Sequence, residues 1–142
     1  MTANIVIVST AQQREDAFAV RIAVFVDEQG ISREDELDDV DEPAVHCVGY
    51  AGGRPVAAGR LVVMDGYGKI GRMAVLRESR GTGLGAGVLA ALEREGAARG
   101  LREFRLSAQL SARGFYDRLG YDADGDVYDE VGIPHIAMVK RL

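Results

Sequence analysis

Residues 70–99 decide the fold, and they read IGRMAV at 70–75, RGTGLG at 80–85 and AGVLAALEREGAAR at 86–99. The first segment is typical of a strand, the second of a glycine-rich turn and the third of an amphipathic helix. Glycines let backbone N–H groups converge without interference from Cβ atoms. The first turn of a helix adds N–H groups without partners and roughly half a positive charge. The stretch therefore predicts a site for a phosphorylated cofactor.

The helix after the glycines has a mostly apolar stripe, formed by Leu84, Val88, Ala91, Leu92 and Glu95. Their spacing of i, i+4, i+7, i+8 and i+11 places them on one face of an α-helix. Gly100 follows where a C-terminal cap is expected.

Two common phosphate-binding motifs are alternatives for this segment. A Walker loop requires a lysine after its last glycine, and the chain has no lysine between Lys69 and Lys140. A dinucleotide fingerprint is nominally present as Gly81-x-Gly83-x-x-Ala86, but it also requires an acidic residue at the end of the next strand. That strand, predicted over 102–107, ends without a carboxylate. A nucleotide-binding redox protein therefore stays as a weaker alternative.

Composition predicts one ordinary globular domain over residues 1–142, with 47% hydrophobic and 27% charged residues. No run approaches the ~18 apolar residues of a membrane span, and the start lacks a basic segment followed by an apolar one. The single Cys47 cannot form an internal disulfide, as is usual in reducing compartments. We therefore expect a cytoplasmic protein without a membrane partner.

The net charge of −5 is unevenly distributed, because nine acidic residues and one arginine lie between Asp27 and Glu42. No basic stripe indicates nucleic acid as a partner, whereas a cationic substrate would suit the acidic half. The run 34–42 carries seven carboxylates. Such a run is usually a solvated face, and the functional alternative is that two or three carboxylates line an amine-binding mouth.

Further strands are predicted at 5–8, 45–50, 56–64 and 68–75, with turns at 52–53 and 65–66. Thr10 begins a helix that should end between Asp27 and Gly30. The strand at 102–107 should run parallel to 70–75 after a right-handed helical crossover. Ser111 should cap a short helix carrying Phe115 and Tyr116. An exposed edge strand at 136–139 would permit a homodimer.

Two motifs resemble the GNAT superfamily of N-acetyltransferases. The segment RGTGLG at 80–85 is similar to its Arg/Gln-x-x-Gly-x-Gly/Ala motif, which lies between a strand and a helix and holds the pyrophosphate of acetyl-CoA. The later segment Ala112-x-x-Phe115-Tyr116-x-x-x-Gly120-Tyr121 resembles the helix whose tyrosine stands beside the thioester sulfur. The resemblance extends over residues 6–140.

The resemblance implies an α/β fold with a mixed, mostly antiparallel sheet, a splayed central pair of parallel strands and about four flanking helices. It implies acetyl-CoA as co-substrate and no metal. Gln109 stands where many relatives have an asparagine that bonds the pantetheine arm. The residues implied to contact acetyl-CoA are Met73, Ala74, Val75, Arg80, Gly81, Thr82, Gly83, Leu84, Gly85, Gln109 and Tyr116.

The implied reaction is direct transfer of an acetyl group from acetyl-CoA to a primary amine of a small molecule or peptide, in a ternary complex. Tyr116 is expected to face the cleft, with Phe115 turned away, and to give a proton to the departing thiolate. The base stays open among Glu28, His46, Asp129, Glu130 and His135, of which we favour Glu28 and His135. The alternatives are a catalytically silent acyl-CoA-binding module and a partner-binding domain whose interface is the acidic run.

Overall fold

The computed structural model describes residues 3–142. Met1 and Thr2 lie outside the described residues, and so does that part of the prediction about the start of the chain. Within the described residues, eight strands form one sheet in the order β1-β2-β3-β4-β5-β8-β6, with β7 also paired to β8. Their bounds are β1 Ala3–Ile7, β2 Val45–Ala51, β3 Arg54–Val63, β4 Gly68–Val75, β5 Glu103–Gln109, β6 Asp122–Ala123, β7 Tyr128–Glu130 and β8 Ile133–Arg141.

The helices flank this sheet. They are α1 Ala11–Arg21, which continues as a π-helical segment over Ile22–Glu28, then α2 Arg33–Glu36, α3 Leu84–Ala98 and α4 Arg113–Arg118. Thr10 caps α1 as predicted, because its hydroxyl accepts a hydrogen bond from the Gln13 N–H at 3.1 Å. The π-helical segment is followed by Gly30 at a φ of +75°, so the predicted end of this helix is confirmed.

The central pair of strands is parallel, as the helical crossover predicted, and splayed, as the resemblance implied. β4 and β5 are paired over only three residues each, Gly68–Ile70 with Phe104–Leu106. Both strands then continue without each other, β4 to Val75 and β5 to Gln109. The diverging ends leave strand edges whose backbone groups have no strand partner across the gap.

The two faces of the sheet are covered differently. On one face α1 packs against β2, β3 and β4, and on the other α3 packs against β1 to β4. Gly59 of β3 lets α3 approach closely, because a Cβ there would lie 2.8 Å from Val88 Cγ1 and 2.9 Å from Leu92 Cδ1. Within the described chain, α1 packs on β2, β3 and β4 and leaves the part of this sheet face formed by β5, β7 and β8 uncovered.

Two local predictions are wrong. The segment 136–139 is not an edge strand, because β8 pairs with β5 on one side and with β6 and β7 on the other. The edge-strand argument for a homodimer therefore falls away. Ser111 does not cap α4, because a 3₁₀ turn over Leu110–Ala112 precedes that helix and places Ala112 at the capping position.

In the described residues, no helix is both long and apolar enough to cross a bilayer.

Candidate active site

A cleft of about 1110 Å³ opens where β4 and β5 diverge. Its walls are the ends of these two strands, the loop before α3, the start of α4, the end of the π-helical segment and the β7–β8 hairpin. The residues predicted from sequence as site residues converge here, with three exceptions that do not line the cleft: Thr82 and the candidate bases His46 and Asp129.

The loop before α3 presents a row of unused donors to this cleft. Within residues 3–142, none of the N–H groups from Gly81 to Ala86 has a hydrogen-bond acceptor, and the Gly87 N–H is the first to bond, to the Gly83 carbonyl at 3.0 Å. Gly81 and Gly83 have φ values of +79° and +85°, which turn successive N–H groups outward. These unused donors at a helix N-terminus suit an anion such as a pyrophosphate.

The glycines of this loop are required for two different reasons. A Cβ at Gly81 or Gly83 would meet nothing within 4 Å, so the demand for glycine there is conformational. At Gly85 the demand is spatial, since a Cβ would lie 3.3 Å from Phe115 Cζ. The open space at Gly81 and Gly83 supports the fit of a phosphorylated ligand, and the contact at Gly85 places the Phe115 ring beside it.

The donors of Arg80 are occupied within the protein. Its backbone N–H donates to the Arg77 carbonyl at 3.3 Å and is therefore not among the unused donors. Its side chain folds back instead, and Nε donates to the Val75 carbonyl at 2.9 Å. The Thr82 hydroxyl likewise donates within the loop, to the Ser79 carbonyl at 2.5 Å. Both side chains brace the loop.

Glu28 and Gln29 connect the two sides of the gap between the splayed strands. The Glu28 carboxylate accepts two hydrogen bonds from Arg80, at 2.7 and 2.9 Å, on the β4 side. Gln29 and Gln109 exchange amide hydrogen bonds of 2.8 and 3.4 Å on the β5 side. Hydrogen bonds from Arg80 hold the pKa of Glu28 below its usual range. A carboxylate stabilised in this way is a weak proton acceptor.

Tyr116 lies at the inner end of the cleft and is 7% exposed. Its ring packs edge-on against Phe115 and Tyr121, and among the described residues its hydroxyl has no hydrogen-bond partner. Burial raises the pKa of Tyr116. The phenol is therefore protonated at neutral pH and has its O–H available to a ligand atom.

Phe115 also lines the cleft, so the expectation that only Tyr116 would do so is wrong. The reason is Gly85, whose missing side chain leaves room for the Phe115 ring over the start of α3. The cleft bends around α4 and is bounded by both rings.

His135 lies on β8 in the cleft and is buried. Its Nδ1 is 2.7 Å from the Ile133 carbonyl, and its Nε2 is 3.4 Å from the Glu130 carboxylate. An Nδ1–H donated to the carbonyl leaves Nε2 as the acceptor nitrogen. His46, the other histidine, is buried beneath α1 with Nε2 2.8 Å from the Asp41 carbonyl and does not line the cleft.

The acidic run is not simply a solvated face. Glu36 and Asp41 are 2% and 5% exposed, and Arg21 of α1 bonds both, at 2.7 Å and 2.8 Å. Arg60 also bonds Asp41, at 2.9 Å. Burial disfavours the Asp41 carboxylate, but hydrogen bonds from the two arginines outweigh it and lower the Asp41 pKa. The predicted solvated face is therefore wrong for these two carboxylates.

This ion cluster forms one wall of the cleft. Arg72 of β4 bonds the Asp38 carboxylate at 3.1 Å and lies 3.2 Å from Glu36. Asp35, Glu36, Asp38 and Arg60 also line the cleft. Three carboxylates of the run therefore line the cleft, and their binding of an amine stays a prediction.

Arg72 occupies a β-bulge that sequence reasoning missed. Between the pairs Arg60–Gly71 and Ala58–Ala74, β3 contributes only Gly59 and β4 contributes two residues. Arg72 has a φ of +53°, and such backbone outliers concentrate at functional sites. One signal was available for the cluster as a whole, since Arg21 interrupts the apolar face of α1 between Ala17 and Val24. A buried arginine requires buried carboxylates.

In the described part of the chain, no group of three His, Cys, Asp or Glu side chains is placed to hold a metal ion.

Comparison with known proteins agrees with this geometry. A sequence model of the acetyltransferase (GNAT) domain matches residues 9–142. An uncharacterised N-acetyltransferase of Bacillus subtilis, YjcF, is 41% identical over 136 residues, covering 95% of this chain and 97% of YjcF.

Solved structures give the same result. A candidate N-acetyltransferase of Lactobacillus plantarum superposes with a TM-score of 0.91 at 32% identity, covering 100% of this chain and 99% of the other. An acyl-CoA N-acyltransferase of Pseudomonas aeruginosa superposes with a TM-score of 0.86 at 28% identity, covering 98% and 99%.

Proposed function

Because the chain belongs to the GNAT acetyltransferase family, we propose that it moves an acetyl group from acetyl-CoA directly to a primary amine of a small molecule or peptide. The observation that carries the proposal is the row of unused N–H donors at Gly81–Ala86, beside strands that diverge at Ile70 and Leu106. This arrangement offers one end to a pyrophosphate and an open strand edge to an amide-containing chain.

In this proposal the N–H groups from Gly81 to Ala86 hold the pyrophosphate of acetyl-CoA. The free edge of β4 at Met73 and Val75 bonds the pantetheine amides, and Ala74 lies between them in the same contact. Gln109 turns its amide from Gln29 toward the same arm. Arg80 keeps the loop in place through its bonds to Glu28 and Val75.

The amine nitrogen forms a bond to the acetyl carbon, the carbon–sulfur bond breaks, and the amine loses one proton while the sulfur gains one. His135 is the better placed of the two predicted bases, because it lines the cleft and, among the described residues, no arginine is bonded to it. Glu28 is tied to Arg80, so we assign it a positioning role.

Tyr116 donates its hydrogen to the departing sulfur. Burial raises its pKa, which opposes complete proton transfer. The same burial destabilises a thiolate in that place, so the pKa values of donor and acceptor rise together. The unpartnered hydroxyl therefore stabilises the sulfur as negative charge develops on it.

The proposal also covers the domain organisation, location and oligomeric state of the protein. Residues 1–142 form one acetyltransferase domain. The enzyme is cytoplasmic, in line with a single cysteine that is buried and unpaired. A homodimer stays a prediction, without the edge strand that first suggested it.

The proposal is tested by comparing Tyr116→Phe with Tyr50→Phe, a control whose hydroxyl bonds Asp16 away from the cleft. Calorimetric titration with acetyl-CoA, CoA and NAD is followed by amine-dependent release of CoA. We expect Tyr116→Phe to lower kcat about 100-fold with unchanged acetyl-CoA affinity, and Tyr50→Phe to leave both unchanged.

Other outcomes would contradict the proposal in distinct ways. Binding of acetyl-CoA without turnover of any amine would indicate a silent binding module. Binding of NAD in place of acetyl-CoA and CoA would indicate a redox protein.

A further inference from the structure

The turn between β7 and β8 contains a residue that the turn itself disfavours. Val131 and Gly132 have φ values of +47° and +78°, the combination of a type I′ turn. Asn-Gly is the favoured pair in such turns, and a β-branched residue at positive φ is a genuine outlier. Val131 is also 50% exposed, so the fold gains little burial from it. The valine is costly to the turn and must be explained by something outside it.

The side chain of Val131 lies on the cleft beside Glu130 and His135. Tyr128 of β7 is directly opposite His135 of β8, which is directly opposite Gln109 of β5. Directly opposed residues point to the same face of a sheet, so these three side chains share a face with Ser107. This is the face that α1 leaves uncovered in the described chain. We call these four residues and Val131 the acceptor platform.

The platform is apolar at its outer end. The Tyr128 ring is 39% exposed and lies 6.2 Å from the His135 ring at an angle of 30°. A hydrogen bond between its hydroxyl and the Ser107 hydroxyl fixes the ring. Val131 lines the cleft and Tyr128 lies beside it against His135, so both offer partly exposed apolar surface to a ligand.

Charges of both signs line the cleft, and on the wall of the ion cluster Arg60 and Arg72 bond the Asp38 carboxylate. Among the described residues, Asp35 and Glu130 line the cleft without an arginine bonded to their carboxylates, and the half-exposed Glu130 lies 3.4 Å from His135 Nε2. An ammonium group is attracted to these two carboxylates, and a non-polar body attached to it would extend toward Tyr128 and Val131.

We infer that the acceptor is a primary amine carried on an apolar body, aromatic or branched aliphatic, and that Val131 and Tyr128 determine this preference. The inference rests on the proposed acetyl transfer and names its substrate class. It explains the valine, because strain in the turn places methyl groups where they contact the acceptor.

The test uses Val131→Asn. Asparagine suits the positive φ, so this variant should melt at the same temperature as wild type or higher, while it removes the apolar contact. Val127→Asn is the matched control, because Val127 is 51% exposed and lies outside the cleft. Each protein is saturated with CoA and titrated calorimetrically with 2-phenylethylamine and with ethanolamine.

We expect wild type and Val127→Asn to bind 2-phenylethylamine at least tenfold more tightly than ethanolamine. Val131→Asn should lose about fivefold for 2-phenylethylamine and nothing for ethanolamine. Equal affinity of wild type for the two amines would overturn the inference, as would an unchanged affinity in Val131→Asn. In both of those cases amine-dependent release of CoA from acetyl-CoA would show that the acetyl-transfer proposal still stands, whereas failure of CoA to bind overturns that proposal and this inference with it.

Discussion

Replacing Gly83 by Asp should weaken binding of acetyl-CoA, and replacing it by Asn should not. Gly83 has a φ of +85°, and a side chain there would meet nothing within 4 Å. Asparagine and aspartate both tolerate a positive φ better than other side chains and are almost the same size. The two variants therefore share any conformational cost and differ by one negative charge.

The magnitude follows from the position of that charge. The N–H groups beside Gly83 are the proposed partners of the pyrophosphate, which carries two negative charges. In exposed surroundings each pair of unit charges about 4 Å apart contributes about 1 kcal/mol. Two pairs give about 2 kcal/mol, which corresponds to a roughly thirtyfold higher Kd for Gly83→Asp than for Gly83→Asn.

Calorimetric titration with CoA and with pantetheine, which lacks phosphates, measures this difference. The gap between the two variants should appear for CoA, vanish for pantetheine and shrink as salt is raised from 0.1 to about 1 M, where the Debye length falls to about 3 Å. Equal Kd values for CoA in the two variants would refute the placement of the pyrophosphate on this loop. Thermal unfolding of both proteins checks that they are equally folded.

Two further predictions concern the ion pairs. Arg21→Met should lower the free energy of unfolding by about 3 kcal/mol in urea titrations, because it removes a buried partner of two carboxylates, whereas Arg54→Met in an exposed pair should cost under about 1 kcal/mol. The pKa of Asp41 is lower in the folded than in the unfolded protein, so the stability that Asp41 contributes is present above pH about 4 and is lost as the pH falls. Arg21→Met should make this acid dependence of the free energy of unfolding shallower. An unchanged dependence would contradict the assignment of Arg21 as the partner of Asp41. Glu28→Gln should raise the KM for acetyl-CoA severalfold, because Glu28 positions Arg80. It should leave kcat within about threefold of wild type at each pH. Loss of the ascending limb of the plot of kcat against pH would instead identify Glu28 as the base.

The central motif could be predicted because its constraints are local. Glycine spacing at 81–85 and the apolar period of α3 are properties of neighbouring residues, and they indicated a strand, a loop and a helix in that order. The parallel pairing of β4 and β5 followed from the helical crossover between them. The divergence of the strands after Ile70 and Leu106 came from the resemblance and not from the residues.

What the sequence concealed depends on contacts between distant residues. Arg21 and Asp41 are twenty positions apart, and nothing in the acidic run distinguishes its buried carboxylates from its exposed ones. The Gln29–Gln109 pair spans eighty positions. The bulge at Arg72 has no local signature either, because an arginine is an unusual residue for a positive φ. Ser111 was mistaken for a cap because a 3₁₀ turn and the beginning of an α-helix have similar sequence signals.

The burial of Cys47 makes the protein convenient for colorimetry. This cysteine, the only one in the chain, is 0% exposed, and burial raises its pKa to about 12. A thiol without solvent access or a thiolate fraction does not react with aromatic disulfide reagents. Every thiol that such a reagent detects in a reaction mixture is then released CoA, without a protein background. In denaturant the same reagent should titrate one equivalent of Cys47, so a single dye reports both turnover and unfolding.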